Sequence, residues 1–430
     1  MNKVYRTKAC FPSVIFSALF LSGCFFGPSL PTPEERAEKV EQFITEGGYS
    51  PSRDYQIDSV RETWSHDGQA VEVSMLAPKI PGVYPLIIYL PGLGETTDGG
   101  RFWRETWAKA GYAVFSVQPA EISSALKELM PMHSKPGGDK SSDDEDESAD
   151  SDKSRPPKAV RNNELHYVGH QYFSEASLKK RINHLLWAYA QLKLRAKAGQ
   201  VLFKSADVSK VIIAGYDIGA QTTEEMIGEK FGADFPQAQD FRPIAAMLFS
   251  PSVDMALGNL TNRYKNIAMP LLVVTGSEDD DPYGISSPYV RTAIWEYAPP
   301  GNKYLLVLNK GSHQLLSGSN LSHRQEAGPA QESEEKNGPS EAMQRFGSSS
   351  YRGGGRRGGG GSSAGPFSGM GRSSHGGRQN PEQGAKHIAA VFSVSTAFLD
   401  TVCKSDKFAQ AWISGKAGLW MSKSASLKIK

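Results

Sequence analysis

The pattern of apolar and polar positions along the chain predicts a parallel β-sheet covered by helices. Residues 84–90 form an almost wholly apolar run, which is typical of a strand buried on both faces. Beyond this run, segments with helical periodicity alternate with short apolar runs, a pattern that predicts the α/β class with helices on both faces of a mostly parallel sheet. The predicted helices are residues 102–110, 177–198 and a segment from Ala220, and the predicted strands are 112–117, 211–214, 245–249, 271–275 and 304–308.

The two ends of this region add further elements. Alternating positions at residues 56–63 and 70–77 predict two antiparallel strands before the first buried strand. Residues 32–35, Thr-Pro-Glu-Glu, have the features of a helix start: a capping residue, a proline in the first turn and a glutamate placed to close a capping box. Apolar periodicity also predicts two closing helices at residues 388–402 and 408–413.

Two segments have too few apolar residues to join a packed core. Residues 134–158 contain a dense acidic run, and residues 319–385 are rich in Gly, Ser and Arg. We expect both to be disordered insertions that interrupt one domain spanning residues 32–430. Residues 351–357 superficially resemble RNA-binding Arg-Gly segments, but in an exported protein a flexible insertion is the favoured interpretation, and we expect no nucleic-acid partner.

The N-terminus has the features of an export signal. Residues 1–23 combine a positive start with an apolar stretch too short to span a bilayer and a small-residue cleavage site. Residues 21–24, Leu-Ser-Gly-Cys, resemble the lipobox of bacterial lipoproteins, in which the cysteine is acylated; the alternative is a secretory signal with an incidental cysteine. The resemblance implies that Cys24 anchors the protein to a membrane, with residues 24–31 as a tether. Lipoproteins that are retained in the inner membrane often have Asp at the position of Phe25, so that in a Gram-negative cell the resemblance implies the outer membrane, facing the periplasm or the cell surface.

Composition is that of a globular protein. The 430 residues have a formal net charge of +2, with 39% hydrophobic and 22% charged residues, so no electrostatic bias toward nucleic acid exists. The three cysteines are Cys10 in the signal, Cys24 and Cys403. Because only Cys403 would remain unmodified in the mature chain, no intrachain disulfide is expected.

The sequence gives little indication of a cofactor or metal, and we expect neither. His166 and His170 are spaced to share a helix face, but the glutamate of a metalloprotease motif is missing. Residues 279–281 are consecutive aspartates without the twelve-residue spacing of a dedicated calcium loop.

The most specific motif lies at residues 215–219, Gly-Tyr-Asp-Ile-Gly, directly after the apolar run 211–214. A strand that enters such a motif typically makes the sharp turn of a nucleophile elbow, in which flanking glycines let the backbone fold tightly around one projecting side chain. That side chain is usually serine. Here it is Asp217.

Three further features follow the same layout. Asp279 comes after a predicted strand, where a carboxylate can orient an imidazole, and Asp280 is a close rival for that role. His313 lies in the loop after the last predicted strand. The order nucleophile, acid, histidine is that of α/β-hydrolases. The candidate oxyanion donors are the backbone N–H groups of Leu93 and Ile218. Leu93 lies in a Pro-Gly turn after residues 84–90, and the alternative interpretation of that segment is an ordinary tight turn without a catalytic role.

On these motifs the chain resembles an α/β-hydrolase over residues 84–316 and 385–413. It is most similar to the cap-less branch that contains dienelactone hydrolases, platelet-activating-factor acetylhydrolases and bacterial polyester hydrolases. The resemblance implies that Asp217 occupies the nucleophile position, Asp279 the acid and His313 the base, and that the substrate is a small molecule. Arg181 and the pair Ser250-Pro251 are also similar to the family.

The aspartate at the elbow leaves three hypotheses for function. A carboxylate is already ionised at neutral pH, since its reference pKa is about 3.9, but attack on an ester would give an unstable mixed anhydride. Attack on a saturated carbon, as in haloalkane dehalogenase and epoxide hydrolase relatives, gives an ordinary ester instead. Those relatives usually have Trp where this chain has Ile218, and a cap for which residues 252–269 are too short. The third hypothesis is a catalytically inactive binding protein.

Overall fold

The computed structural model describes residues 32–127, 158–230, 235–236, 240–255, 258–319 and 381–430. The predicted signal 1–23, Cys24 and the tether 24–31 lie outside the described residues, as does most of each predicted insertion. Across the described ranges, the helices are all too short or too polar to cross a membrane.

The first helix, α1 (Pro33–Thr45), begins at the predicted capping box. The Thr32 hydroxyl accepts the backbone N–H of Glu35 at 3.2 Å, and the Glu35 carboxylate accepts the N–H of Thr32 at 2.9 Å. Two of the N–H groups that a helix start leaves unpaired are therefore satisfied, and the predicted start is confirmed.

The described strands form one sheet of nine, in the order β1-β2-β4-β3-β5-β6-β7-β8-β9. Strands β3 to β8 pair in parallel, whereas β1, β2 and β9 are antiparallel to their neighbours. This confirms an α/β class with a mixed, mostly parallel sheet. The strands are β1 (Ile57–His66), β2 (Gln69–Pro78), β3 (Tyr84–Leu90), β4 (Ala113–Pro119), β5 (Ala206–Tyr216), β6 (Ala245–Phe249), β7 (Leu271–Glu278), β8 (Lys303–Ser312) and β9 (Ala425–Ile429).

Helices cover both faces of this sheet. On β3, Ile87 and Tyr89 belong to the buried cluster on one face, which includes residues of α1 and of the helices at 101–109 and 381–404. Leu86 and Ile88 belong to the cluster on the other face, which includes residues of the helix at 175–197. A strand buried on both faces explains the unbroken apolar run in the sequence. The remaining helices are α2 (Arg101–Lys109), α3 (Ala120–Ser124), α4 (Lys158–Tyr172), α5 (Glu175–Lys197), α6 (Ile218–Met226), α7 (Leu260–Tyr264), α8 (Ala293–Tyr297), α9 (His313–Ser317), α10 (Pro381–Lys404), α11 (Lys407–Ala411) and α12 (Ala417–Met421), with a 3₁₀ turn at Phe203–Ser205 and a π turn at Trp412–Lys416.

Three features differ from the sequence predictions. Strand β9 follows the closing helices and pairs with β8, so the histidine does not follow the last strand. Helix α4 was not among the predicted elements, and its first residue, Lys158, had been assigned to the first insertion. Residues 381–385 were assigned to the second insertion but form the first turns of α10, because Ala385 is fully buried in the core.

Candidate active site

The turn between β5 and α6 places Asp217 in a strained backbone conformation. Its φ is 54° and its ψ is −117°, a region that residues with a side chain seldom adopt. Tight packing fixes the flanking glycines: a Cβ atom on Gly219 would lie 2.0 Å from the carbonyl oxygen of Leu90, and one on Gly215 would lie 2.2 Å from the carbonyl oxygen of Gly219. The glycines of the motif are therefore sterically required.

The side chain of Asp217 is almost completely buried, with 1% of the residue exposed. Its Oδ2 accepts the backbone N–H of Leu93 at 3.1 Å, and its Oδ1 lies 3.7 Å from Nε2 of His313. Within the described residues, Oδ1 has no hydrogen-bond partner. Burial raises the pKa of Asp217, and the nearby His313 opposes that shift.

His313 lies at the start of the one-turn helix α9, directly after β8, whereas the sequence predicted a loop. Its Nδ1 is 2.8 Å from Oδ1 of Asp279. The hydroxyl of Tyr216 donates to the backbone carbonyl of His313 at 3.1 Å, and the two rings are 5.1 Å apart. The imidazole thus has one nitrogen toward Asp279 and the other toward Asp217.

Asp279 is fully buried at the end of β7, whereas Asp280 is exposed. Oδ2 of Asp279 also accepts the hydroxyl of Thr275 at 2.7 Å. Burial alone would raise the pKa of Asp279, but the charge of Arg291 and the hydrogen bond with His313 outweigh it and lower that pKa. Of the two rivals, Asp279 is the carboxylate that contacts the imidazole.

Two side chains that sequence reasoning did not assign to the site hold this pair in place. Ser250 is fully buried with a φ of 50°; its hydroxyl donates to Oδ1 of Asp279 at 2.7 Å and lies 2.7 Å from Nδ1 of His313. The Arg291 guanidinium donates to the backbone carbonyls of Asp279 at 2.8 Å, Ser250 at 3.0 Å and Pro251 at 2.8 Å. Ser250 followed a predicted strand and was noted as a family similarity, but Arg291 gave no sequence signal.

The loop after β3 is also fixed by hydrogen bonds. Oε2 of Glu95 accepts the N–H of Gly92 at 2.8 Å, and the Gln118 amide donates to the carbonyls of both residues, at 2.9 Å for Gly92 and 3.0 Å for Glu95. Between them lies Leu93, whose N–H binds Asp217. The other predicted donor, Ile218, begins α6 and its side chain is buried.

Glu95 itself is a buried acid that sequence reasoning missed. Burial raises its pKa to about 7, although a hydrogen bond from the Ser319 hydroxyl opposes that shift. That hydroxyl is 2.6 Å from Oε1 of Glu95 and accepts the N–H of Gly100 at 3.0 Å. A carboxyl group of this kind changes its charge near neutral pH, next to the loop that contacts Asp217.

An apolar cluster lies beside the elbow. It contains six buried residues and is extended by half-buried side chains of α4. The rings of Phe173 and Tyr283 are 5.9 Å apart, and a Cβ atom on Gly169 of α4 would lie 2.5 Å from Cβ of Tyr283. Helix α4 therefore packs closely against the segment after β7. The buried residues are Leu93, Ile122, Leu126, Phe173, Ile218 and Tyr283.

The two histidines of α4 lie next to the apolar cluster, since a Cβ atom on Gly284, which follows Tyr283, would lie 2.2 Å from Cε1 of His166. The rings of His166 and His170 are stacked 6.1 Å apart on the exposed side of α4. Throughout the part of the chain that the structure describes, no three His, Cys, Asp or Glu side chains converge as a metal site. Cys403 is a buried free thiol in α10.

Comparison with protein-family models and with curated proteins found no match for this chain. The assignment of a reaction to the site therefore depends on its geometry and chemistry.

Proposed function

We propose that this protein is a hydrolase of the α/β-hydrolase type that uses the Asp217 carboxylate to displace a leaving group from a saturated carbon. The observation that supports this proposal most strongly is the position of the two carboxylate oxygens. Oδ2 accepts the N–H of Leu93, whereas Oδ1 has no hydrogen-bond partner among the described residues and faces His313. An ionised oxygen without a hydrogen bond is the more nucleophilic of the two.

In the first step, Oδ1 forms a bond to the substrate carbon while the bond from that carbon to its leaving group breaks. A halide departs with the electron pair; the oxygen of an epoxide departs as an alkoxide, which takes a proton from water. The product is an ordinary alkyl ester of Asp217, and the charge of the carboxylate has passed to the leaving group. No base is needed, because the carboxylate is the nucleophile.

In the second step, water attacks the carbonyl carbon of this ester. Nε2 of His313 takes the proton of that water as general base, and Asp279 stabilises the imidazolium at a distance of 2.8 Å. The oxygen that becomes negative is Oδ2, which already accepts the N–H of Leu93. Collapse of the intermediate breaks the bond between the Asp217 carbonyl carbon and the alkyl oxygen, and the departing alkoxide takes the proton from Nε2 of His313 and leaves as an alcohol. The remaining carboxylic acid loses its proton to water, or to the hydroxide left by the opening of an epoxide, and is again the Asp217 carboxylate. The net reaction consumes one water.

The same contact argues against a small ester as the substrate. An ester carbonyl would need the Leu93 N–H for its own developing oxyanion, but that donor is bound to the carboxylate. Attack would also give a mixed anhydride, which is no more stable than the ester. Displacement at a saturated carbon avoids both problems.

For the cellular location we retain the proposal from the sequence, which is a bacterial lipoprotein anchored through Cys24 in the envelope. An anchored hydrolase of this kind would meet small compounds outside the cytoplasm. The predicted membrane contact is made by the acylated cysteine and needs no surface of the α/β fold.

A second candidate function is that of a binding protein without catalysis. One observation favours it: Asp217 is only 1% exposed, so a substrate reaches Oδ1 only if neighbouring side chains move. If those side chains do not move, no substrate reaches the carboxylate and the site has no catalytic activity.

Turnover distinguishes the two candidates. The full-length chain is incubated with panels of haloalkanes, epoxides and aryl esters beside an Asp217→Asn variant, and halide, diol or phenol release is measured. We expect release from a haloalkane or an epoxide that Asp217→Asn abolishes. Turnover that survives in the variant contradicts the nucleophile assignment, and no turnover across the panels favours the binding protein.

A further inference from the structure

A second group of titratable side chains lies at the β1 edge of the sheet, where the β1–β2 hairpin contacts α5. The hairpin turn consists of Asp67 and Gly68, with φ values of 53° and 74°, as a two-residue type I′ turn requires. It sets His66 directly opposite Gln69 in the strand register. His184 of α5 packs against this end of the hairpin, and it is 6% exposed.

The two imidazoles face each other through the same nitrogen. Nδ1 of His66 lies 3.1 Å from Nδ1 of His184. The other nitrogen of each ring is turned toward an acceptor: Nε2 of His184 is 2.9 Å from Oε1 of Gln69, and Nε2 of His66 is 3.5 Å from Oδ2 of Asp67. The ring of Trp187 stacks on His66 with centroids 4.6 Å apart and planes 12° apart, which fixes the orientation of that imidazole.

The contact between the rings can be bridged by a proton or by a metal ion. When Nε2 of His184 donates to Gln69 at 2.9 Å, its Nδ1 presents a lone pair to Nδ1 of His66, and a proton on the latter nitrogen makes a hydrogen bond between two neutral rings. A metal ion that replaces this proton binds both Nδ1 lone pairs. Histidines that ligate a metal usually donate their other N–H to an acceptor such as a carbonyl, as Gln69 permits for His184.

The separation of the two nitrogens suits a shared metal ion. Nitrogen ligands at about 2.0–2.1 Å from an ion are about 2.9 Å apart at a right angle and about 3.3 Å apart at a tetrahedral angle. The observed 3.1 Å lies between these values.

We propose that His66 and His184 bind a divalent late first-row transition ion, Cu²⁺ or Zn²⁺, through their Nδ1 atoms. Among the described residues no third His, Cys, Asp or Glu completes the set, so water fills the other positions and binding is weaker than at a structural zinc site. The site lies at the β1 edge, away from the strands that hold Asp217 and His313. It is therefore independent of the proposed hydrolysis.

The test is a titration of the untagged full-length chain with Cu²⁺, followed by tryptophan fluorescence and electron paramagnetic resonance. Because Trp187 stacks on His66, bound Cu²⁺ quenches part of the emission, and a Trp187→Phe variant loses that part. We expect one equivalent of Cu²⁺ with two nitrogen ligands, and at least tenfold weaker binding in His66→Gln and in His184→Gln. Near-UV circular dichroism verifies that both variants fold; His66→Gln is the less disruptive, since His66 is the less buried.

The matched control is the double variant His166→Gln/His170→Gln, which removes the other close pair of histidines and keeps the proposed one. Its Cu²⁺ affinity and its quenching should equal those of the parent chain. Equal binding by the parent chain, His66→Gln and His184→Gln overturns the proposal, as does a parent chain that binds no Cu²⁺ or Zn²⁺ above the level of buffer.

Discussion

The backbone N–H of Leu93 donates to Oδ2 of Asp217 at 3.1 Å, so the carboxylate at the elbow occupies the N–H group that the sequence predicts as an oxyanion donor. Oδ1 lies 3.7 Å from Nε2 of His313. One carboxyl group therefore lies between the Leu93 N–H and the His313 imidazole, and under the proposed function the chemistry depends on which of its oxygens reacts.

A serine at the elbow should convert the site to ester hydrolysis. In Asp217→Ser the side chain is shorter and uncharged, so the Leu93 N–H is released for an ester oxyanion and His313 can activate the hydroxyl. We expect hydrolysis of an aryl acetate at least about 100-fold faster than in Asp217→Ala, with the rates measured by phenol release. Equal rates in the two variants mean that the donor and the histidine are not arranged as described.

Asp279 and Asp280 should differ sharply in their effect on turnover. Asp279 is buried against His313, and its replacement by Asn removes the charge that stabilises the imidazolium. We expect Asp279→Asn to lower kcat by about 10³-fold or more and Asp280→Asn to change it less than twofold. The measurement is kcat on the substrate found in the panels. A similar loss in both variants would contradict the assignment of the acid.

Glu95 should make stability depend on pH around neutrality. Its pKa is about 7 in the folded protein against 4.5 as its ordinary value, so the folded state binds the proton more tightly. The contribution of this proton to stability is fully present below pH 4.5 and is lost as the pH rises through 7. The loss is about 3 kcal/mol, because a difference of one pKa unit corresponds to about 1.4 kcal/mol. In urea unfolding, the loss of stability between pH 4.5 and 8 should be smaller in Glu95→Gln than in the parent chain by this amount, because Asp217 contributes a pH dependence of the same sign to both.

The control for Glu95 is the exposed Glu38, whose replacement by Gln should leave the slope unchanged. If Glu95→Gln keeps the full pH dependence between 4.5 and 7, other buried acids cause it.

Asp217 should reduce the stability of the fold. Its Oδ1 is buried without a hydrogen bond among the described residues, and burial raises its pKa, so stability is lost as the pH rises above 3.8 and through the folded pKa. In Asp217→Asn the side chain is neutral and its amide can donate to Nε2 of His313. We expect the variant to be about 1 kcal/mol more stable at pH 8 and to gain less at pH 4, by thermal and urea unfolding. A variant that is less stable at pH 8 would show that the ionised carboxylate stabilises the fold.

The comparison of sequence and structure shows which features local patterns specify. Strand β3 matches its predicted limits because both of its faces are buried, and α1 begins at its predicted capping box because both hydrogen bonds join residues three positions apart. The elbow was recognisable because its glycines are adjacent to the turn in sequence: the backbone of Gly219 within the motif requires Gly215, although the residue that requires Gly219 is Leu90, on a distant strand.

The parts that sequence reasoning missed depend on distant contacts. Arg291 binds backbone carbonyls 12 to 41 positions away, and carbonyls leave no trace in the sequence. The effect on Glu95 comes from burial and from Ser319, 224 positions away. The choice of Asp279 over Asp280 depends on which side of the strand end faces the histidine.

The most direct test of the central claim is to trap the covalent ester. In His313→Gln the first step needs no base and proceeds, whereas the second step lacks one and stops. The variant is incubated with the haloalkane and epoxide panels, and intact-mass and peptide mass spectrometry are recorded beside the double variant His313→Gln/Asp217→Asn. We predict the mass of one alkyl group on the peptide that contains Asp217, and none in the double variant. Turnover by the parent chain without any adduct on that peptide in His313→Gln, or an adduct on another residue, contradicts the account.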